Sequence, residues 1–424
     1  MNMQAGIRTS AAEAALAEAY DQQIGELPGN GEVIAARDRL LTDLKSFGLP
    51  TRRVESWHYT DLKALLRAVP PVDPAAAAAM VAPVVAGSTV LSILNGKAQP
   101  ASAPDGVTVG AFAEALGDGS AAEALVARGS DDAIGRVNGA FVRDGLVVRI
   151  AAGTVLAEPL EFQVLQNAGQ THSRSQVSFG AKSAATVVER YETAGDRQGF
   201  VSAVTAVTLG DGADVTWIIF QGQGAEDTHL GQISIDLGAD ARLKLYVINA
   251  GGKLVRQEIH VAVVGEGAEF TLRGINLLGG DTHTDVTFTV GHDVPNTAST
   301  EVIRNVVFDR ARGVFQGQIR VAPDAQKTDA KMSCNTLLLS DEAEFSAKPE
   351  LEIFADDVQC GHGATVIDID HTQLFYLMAR GIPESKARAM LVNAFVAEIV
   401  EELEDEPLVE ALEGVIGAWL ERHA

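Results

Sequence analysis

An alanine followed by one polar or charged residue and then an apolar run returns four times along the middle of the chain, at Ala185, Ala213, Ala241 and Ala268, in steps of 28, 28 and 27 residues. Three of the four follow a glycine one to three residues earlier, as in Gly-Glu-Gly-Ala268. Self-similarity at this period belongs to solenoids, in which one unit cannot bury its apolar face alone and stacked neighbours complete the core. The units hold short β-rich runs and no long helix, among them ATVVERYET, ADVTWIIFQG, ARLKLYVINAGG and AEFTLRGINLLGG. That combination predicts a parallel β-helix, with Ala or Gly at tight corners and Val, Ile and Leu inside. A sandwich of hairpins is the rival, and it predicts two-residue Asn-Gly or Asp-Gly loops between the runs; Asn95-Gly96 and Asp-Gly turns outside the repeat are the ones that stand out. The repeat blurs after Gly291, so later coils are extrapolated from it.

Both flanks change to a helical period. Ala11 to Tyr20 is rich in Ala and Glu, and Val33, Ile34, Leu40, Leu41, Leu44 and Phe47 recur at three- and four-residue steps before Gly48 in a capping position. LPTRRVESWHYTDLKALL then carries an aromatic cluster, Trp57 and Tyr59, and a second helical patch covers residues 111–141. At the other end Asp370, with Gln373 three residues on, resembles a capping box, Gly381 ends that helix and Pro383 opens the next. Met390, Leu391, Ala394, Phe395, Ile399 and Leu403 form one apolar stripe; Leu408, Leu412, Val415, Ile416, Trp419 and Leu420 form another. The expected class is mainly β: a β-helix core over 89–366, an N-terminal helical domain and linker over 1–88, and a C-terminal helical domain over 367–424.

Residues 75–94 are uncharged and as long as a bilayer span. Their alanines, Pro83, Gly87, Ser88, Thr89 and Ser92 make them only weakly apolar, so they read as a connector running into a strand over 89–94, and no membrane is expected. A net charge of −24 opposes binding of nucleic acid. Two cysteines without a CxxC, Cys334 and Cys360, argue against a disulfide framework and against a self-contained zinc or Fe–S site, and imply a reducing compartment. The first twenty residues lack a signal peptide's positive and apolar regions, so the cytoplasm is expected.

Phosphate loops, GxGxxG after a strand, GxSxG and HExxH are all missing from the sequence. Most histidines stand alone: His58 between aromatics, His172 and His229 in loops between coils, His260 within a strand, His283 and His292 flanking one, and His423 in the terminal tail. Cys360 and His362 differ, because a thiolate and an imidazole two apart offer two ligands to Fe, Zn or Cu from one short strand end. Two ligands are too few for a cluster, which takes four thiolates or two thiolates with two imidazoles, so they serve only in a site completed by another chain. A Cys–His nucleophile pair is an alternative, as is a plain buried cysteine beside a strand-end histidine.

CGHGATVIDIDHTQLFYLMARGI at 360–382, preceded by AKPELEIFADDVQ, closely resembles the signature of the SufB/SufD family of iron–sulfur cluster assembly proteins, in the form of its SufD branch. LPTRRVESWHYTDL, LNGKAQP, GLVVRIAAGTVLAEPLEF and VFQGQIRVAPDAQKTDAKMSCNTLLLSDEAEFSAKPELEI match in the same order, while 101–135 carries little of the pattern. The resemblance implies a right-handed parallel β-helix between two helical domains. It also implies a non-ATPase scaffold that pairs with a SufB-type subunit through the β-helix and docks a SufC-type ABC ATPase on its C-terminal helices. By motif position Cys360 and His362 face the SufB-type partner where a nascent cluster is built. Iron or cluster is then held only in transit, with no cofactor bound stably, and iron acquisition is part of the role. Phe375, Tyr376, Arg380 and Gly381 fall in the ATPase-docking element. Gly361 stands where the family commonly has a small polar residue such as serine. Two further expectations stay open: a homodimer when the chain is alone, and an enzyme with Cys360 as nucleophile and His362 or His371 as base.

Overall fold

The computed structural model describes residues 9–73, 75–195 and 197–423; the first eight residues, part of the stretch read for a signal peptide, lie outside it. The centre is a parallel β-solenoid of about 8 turns, with 40% of the chain in strands and 25% in helices. Its strands form a ten-stranded and a nine-stranded sheet, and the chain alternates between them. Ala184–Thr193 pairs in parallel with Asp214–Gln221, two strands on, and not with the intervening Gly199–Leu209. Sequential hairpins would have made neighbours of them, so the sandwich is excluded.

The strand register shows how the period is built. The residue just before each of the seven strands of the larger sheet from Ala184–Thr193 onward is Ser183, Ala213, Ala241, Ala268, Thr297, Thr328 and then Val358, small in all but the last, giving steps of 30, 28, 27, 29, 31 and 30. The first corner is therefore Ser183; Ala185 lies two residues inside its strand. Immediately before the first six of these residues the backbone turns left-handed, at Lys182, Gly212, Asp240, Gly267, Asn296 and Lys327. Glycine takes that conformation freely and Asn or Asp at modest cost. The corner is thus a backbone conformation more than a residue type, which is why the pattern fades after Gly291.

Inside the solenoid, alternate residues of both sheets build one core, with Val215, Trp217, Leu243, Leu245, Ile233 and Ile259 among them. The residues between them point out, and each outer face is covered by one end of the chain. Phe200, Val204, Leu230 and Leu254 of the smaller sheet pack with Trp57, Leu40, Ile134 and Phe141. The helical patch at 111–141 thus shares its core with the N-terminal helices, through Phe112, Leu116, Ile134 and Val137. Ile218, Tyr246, Ile248 and Ile275 of the larger sheet pack with Leu408, Leu412, Ile416 and Trp419. The helix Glu384–Val400 keeps part of its expected stripe: Ile399 and, just past the helix, Leu403 are buried, and Leu391 and Phe395 are half-buried against the same cluster. Val392, Val396 and Val400 are buried as well while Met390 faces out, and ion pairs from Arg304 to Glu398 on the helix (2.7 Å) and from Arg273 to Glu402 just after it (2.6 Å) tie this end to the sheet.

The strand Thr89–Leu94 forms where expected, and the connector before it is pinned on the sheet by Gln163, bonded both ways to Val81, and by Glu161 to the Val84 amide. No described helix is long and apolar enough to cross a membrane. His172 and His229 lie within strands, not in loops, and are buried: the first stacks on Phe141 and the second meets the edge of Tyr191. His423 closes the last helix, stacked 4.0 Å from Trp419.

VESWHYTDL is a strap that fastens the N-terminal domain to the solenoid. The Arg256 guanidinium lies 4.3 Å from the Trp57 ring, donates to the Ser56 carbonyl (2.8 Å) and to Glu258 (3.1 Å), and pairs with Asp285. Thr60 donates to the same Asp285 and bonds His283 at 2.9 Å. Arg256, Asp285 and Thr60 are fully buried. At the end of the strap Glu55 reaches Lys348 (2.5 Å), on the last strand of the smaller sheet.

Candidate functional site

The solenoid ends in an open coil made of Glu344–Ile353 in the smaller sheet and Gln359–Ile367 in the larger, each the outermost strand of its sheet. Such a strand presents a row of unpaired amides and carbonyls, which proteins usually guard with charge or proline. Glu344–Ile353 is guarded by Lys348, Pro349, Glu350 and Glu352. Gln359–Ile367, QCGHGATVI, carries neither. Apolar side chains stand exposed beside both ends: Ile353, Phe354, Val366 and Ile367.

Cys360 and His362 sit on this unguarded strand, opposite Ala330 and Met332 of Asp329–Leu338. Because Ala330 and Met332 belong to the interior core, both side chains point toward the solenoid's interior at its open end. Cys360 is half-buried and packs on that core, while His362 is exposed. Gly361 and Gly363 alternate with them and face outward, where an added side chain would meet nothing within 4 Å. A serine at 361 would therefore face away from the Cys/His pair, and its loss leaves the pair's surroundings unchanged.

Burial pushes the Cys360 thiol up, and the negative charges of Asp329 and Glu301 push it further. A raised thiol is a poor nucleophile and binds metal only once deprotonated. Among the described residues Cys360 has no hydrogen-bonded base, and His371, the other base considered, stands on the next helix 3.7 Å from Asp368. The arrangement suits a ligand that loses its proton to an incoming cation better than a resting catalytic nucleophile. Cys334, also inward, is buried in the preceding coil with its thiol pushed up to about 12 by burial.

The helix His371–Ala379 begins where the Asp370 side chain accepts from the amides of Thr372 (2.8 Å) and Gln373 (3.3 Å), and Gly381 turns left-handed after it. Leu374 anchors it inward, while Phe375 is 71% and Tyr376 56% exposed. Arg380 donates to the Tyr376 hydroxyl at 2.7 Å and lies over its ring. Two aromatics held in solvent with one of them braced form a binding surface more readily than a packing surface.

Sequence reasoning found these residues through their motif. It missed Glu301 and Met332, the inward residues lined up behind His362, and the strap's partner Arg256. Counting forward from the coil register would have found the first two, had the period not faded after Gly291.

A family model for the SUF system FeS cluster assembly SufBD core domain matches residues 162–395, more than half of the chain. The chain is 28% identical to the iron–sulfur cluster assembly protein SufD of Escherichia coli over 90% of its own length and 91% of that protein's. It is 27% identical to an iron–sulfur cluster assembly SufBD family protein of Synechocystis, over 90% and 92%, and 26% identical to the chloroplastic protein ABCI7 of Arabidopsis thaliana, over 71% and 66%. With its solenoid, its open coil and matches of this extent, the chain belongs to the SufBD family of iron–sulfur cluster assembly proteins as a SufD-like member.

Proposed function

We propose that this chain is a non-catalytic scaffold that pairs through its open coil with a SufB-type subunit, docks a SufC-type ATPase on its C-terminal helices, and offers Cys360 and His362 to iron or a nascent cluster at the seam. The observation that carries this reading is the outermost strand Gln359–Ile367, which lacks charge and proline, has bare glycines on its outer face, and holds a thiol and an imidazole pointing inward. A second solenoid added along this edge would satisfy its backbone, cover Val366 and Ile367, and supply the ligands two residues cannot. Without that partner the same edge pairs with a second copy of this chain. Thiolate and imidazole suit Fe(II) held in transit, which is the sense in which the chain takes part in iron acquisition. Its two free cysteines fit the reducing cytoplasm.

Exposed Phe375 and Tyr376, next to the seam in sequence, give the ATPase a lever on it. Phe375→Asp is expected to release the ATPase while the SufB-type subunit still co-purifies; retention of the ATPase at wild-type level would remove the docking role from this helix.

His362→Ala is expected to keep both partners and the wild-type circular dichroism while abolishing cluster build-up on the complex, since its exposed ring supports nothing in the fold. Co-purification followed by iron and sulfide analysis decides it. Loss of the complex itself, or full cluster content in the variant, would refute a chemical role for His362.

A further inference from the structure

Two coils inside the mouth the solenoid departs from its own pattern. The inward column that ends at His362 runs Trp217, Leu245, Leu272, Glu301, Met332, His362, and the column beside it runs Val215, Leu243, Phe270, Ser299, Ala330, Cys360. Apolar residues fill the deep coils, and hydroxyl, carboxylate, thioether, thiol and imidazole replace them over the last three. The facing wall is apolar over Phe288, Phe315 and Ile319, and it ends in His292, which is inward and fully buried and bonds Ser299 at 3.1 Å and Thr297 at 2.8 Å.

Glu301 is the sharpest departure. It is fully buried, and neither carboxylate oxygen has a hydrogen-bond partner in good geometry among the described residues; the Ser299 hydroxyl beside it, which eases its charge, bonds His292 at 3.1 Å. Burial pushes its carboxyl up to about 8. The same solenoid shows what a structural interior carboxylate looks like: Glu189 accepts from the Tyr191 hydroxyl (2.6 Å), the Trp217 indole (3.0 Å) and Thr205 (3.3 Å). An orphaned interior carboxyl is costly, and the leucines at 245 and 272 show what packs at that position without cost.

Between Glu301 and His362 in the column stands Met332, whose sulfur is parked across the lumen in the notch left by Gly317; a Cβ built on Gly317 would lie 2.3 Å from it. Met332 is buried in the core, and its unbranched thioether chain is of the kind that repacks most readily. Two strand spacings separate the Glu301 and His362 backbones, roughly 10 Å, a span that two long side chains leaning together close around one ion. In the resting chain no three His, Cys, Asp or Glu side chains among the described residues stand close enough to hold a metal, so filling the chamber needs the His362 ring, on the inward face but exposed at the mouth, to lean down toward Glu301.

We propose that the lumen between Glu301 and the mouth is a chamber for one divalent cation of the iron(II) class, with Glu301 as its anionic inner ligand and Cys360 and His362 closing it from outside. This rests on the reading of the mouth given above. A carboxylate, a soft sulfur and an imidazole together match a cation of borderline softness better than magnesium or calcium. The ion supplies the positive partner that the Glu301 carboxylate lacks.

Cobalt(II), titrated without oxygen into the purified full chain, reports thiolate ligation in the near ultraviolet and ligand geometry in the visible. The wild type is expected to bind one cobalt with a charge-transfer band that Cys360→Ser removes. Glu301→Gln, isosteric and neutral, is expected to weaken binding by at least the roughly 10- to 100-fold that loss of an outer-sphere partner brings, and to change the visible bands with the circular dichroism unchanged. A band that Cys360→Ser removes but that titrates with wild-type affinity in Glu301→Gln would overturn the chamber and leave the mouth. No binding, or binding indifferent to both Cys360→Ser and His362→Ala, would likewise overturn the chamber, and would leave the mouth as a site that only the partner completes.

Discussion

Arg256→Ala is expected to destabilise the protein by about 3–5 kcal/mol, the cost of breaking a buried ion pair from one side. The substitution leaves Asp285 and Glu258 buried without their cation; Arg256 now holds the Glu258 carboxyl at about 2, although burial alone would raise it. The substitution also takes the guanidinium from the face of Trp57 and the donor from the Ser56 carbonyl. Urea unfolding should show the loss, and amide exchange in residues 54–62 should rise with it. Replacing Arg256, Asp285 and Glu258 together by apolar residues of similar size should recover much of the stability, because no charge is then stranded. A single-variant loss below about 1 kcal/mol, the range of an exposed pair, would mean that water reaches the cluster.

Acidification is expected to have an equally large effect. Burial holds His172 at about 3 and His229 and His292 at about 4, all lowered from 6.5. Below pH 6.5 the unfolded chain takes up protons that the folded chain cannot. The stability these neutral rings contribute is therefore whole above 6.5 and is lost as pH falls toward 4. Each contributes about 1.4 kcal/mol per pH unit in that window, about 4 for the three. Glu301 acts in the opposite sense: raised from 4.5 to about 8, it holds its proton more tightly when folded and adds about 1.4 kcal/mol per unit as pH falls between those values. The net expectation is a loss of about 3 kcal/mol per unit between pH 6 and 4.5, seen as falling urea midpoints, with His229→Leu reducing the slope by about one histidine's share. Midpoints that stay level from pH 6.5 to 4.5 would show that these rings are charged in the fold.

The two ends of the chain show how far pattern carries. Leu408, Leu412, Ile416, Trp419 and Leu420 are buried as their spacing requires, because an isolated surface helix has one apolar stripe and one way to bury it. The helix before it buries Ile399 and Leu403 from its expected stripe but also Val392, Val396 and Val400, and Arg273 and Arg304 from the sheet reach Glu402 and Glu398 beside that face. Arginines 94 and 129 residues away in sequence leave no mark on a helical period. His172 and His229 were misplaced for a related reason: a polar residue inside a strand looks like a loop until the aromatic ring that covers it is known.

Cys360 and His362 were legible because the motif around them is local and dense. Their inward aim, the bare outer edge made by Gly361 and Gly363, and the orphaned Glu301 were not, since each depends on which residue lies opposite in a neighbouring coil some thirty residues away.

By itself the sequence determined the class of fold and the location of its chemistry. An apolar run returning every 27 to 28 residues can be buried only by stacking on its own neighbours, and a Cys-x-His beside a capped helix marks where the stacking stops. Only the tertiary structure decided the register, and with it which side chains share the lumen. Side chains in a strand alternate faces, so a corner one residue longer or shorter exchanges inside for outside. The corners here are set by a left-handed backbone that Gly, Asp, Asn and Lys all adopt, a conformation that pattern alone does not reveal.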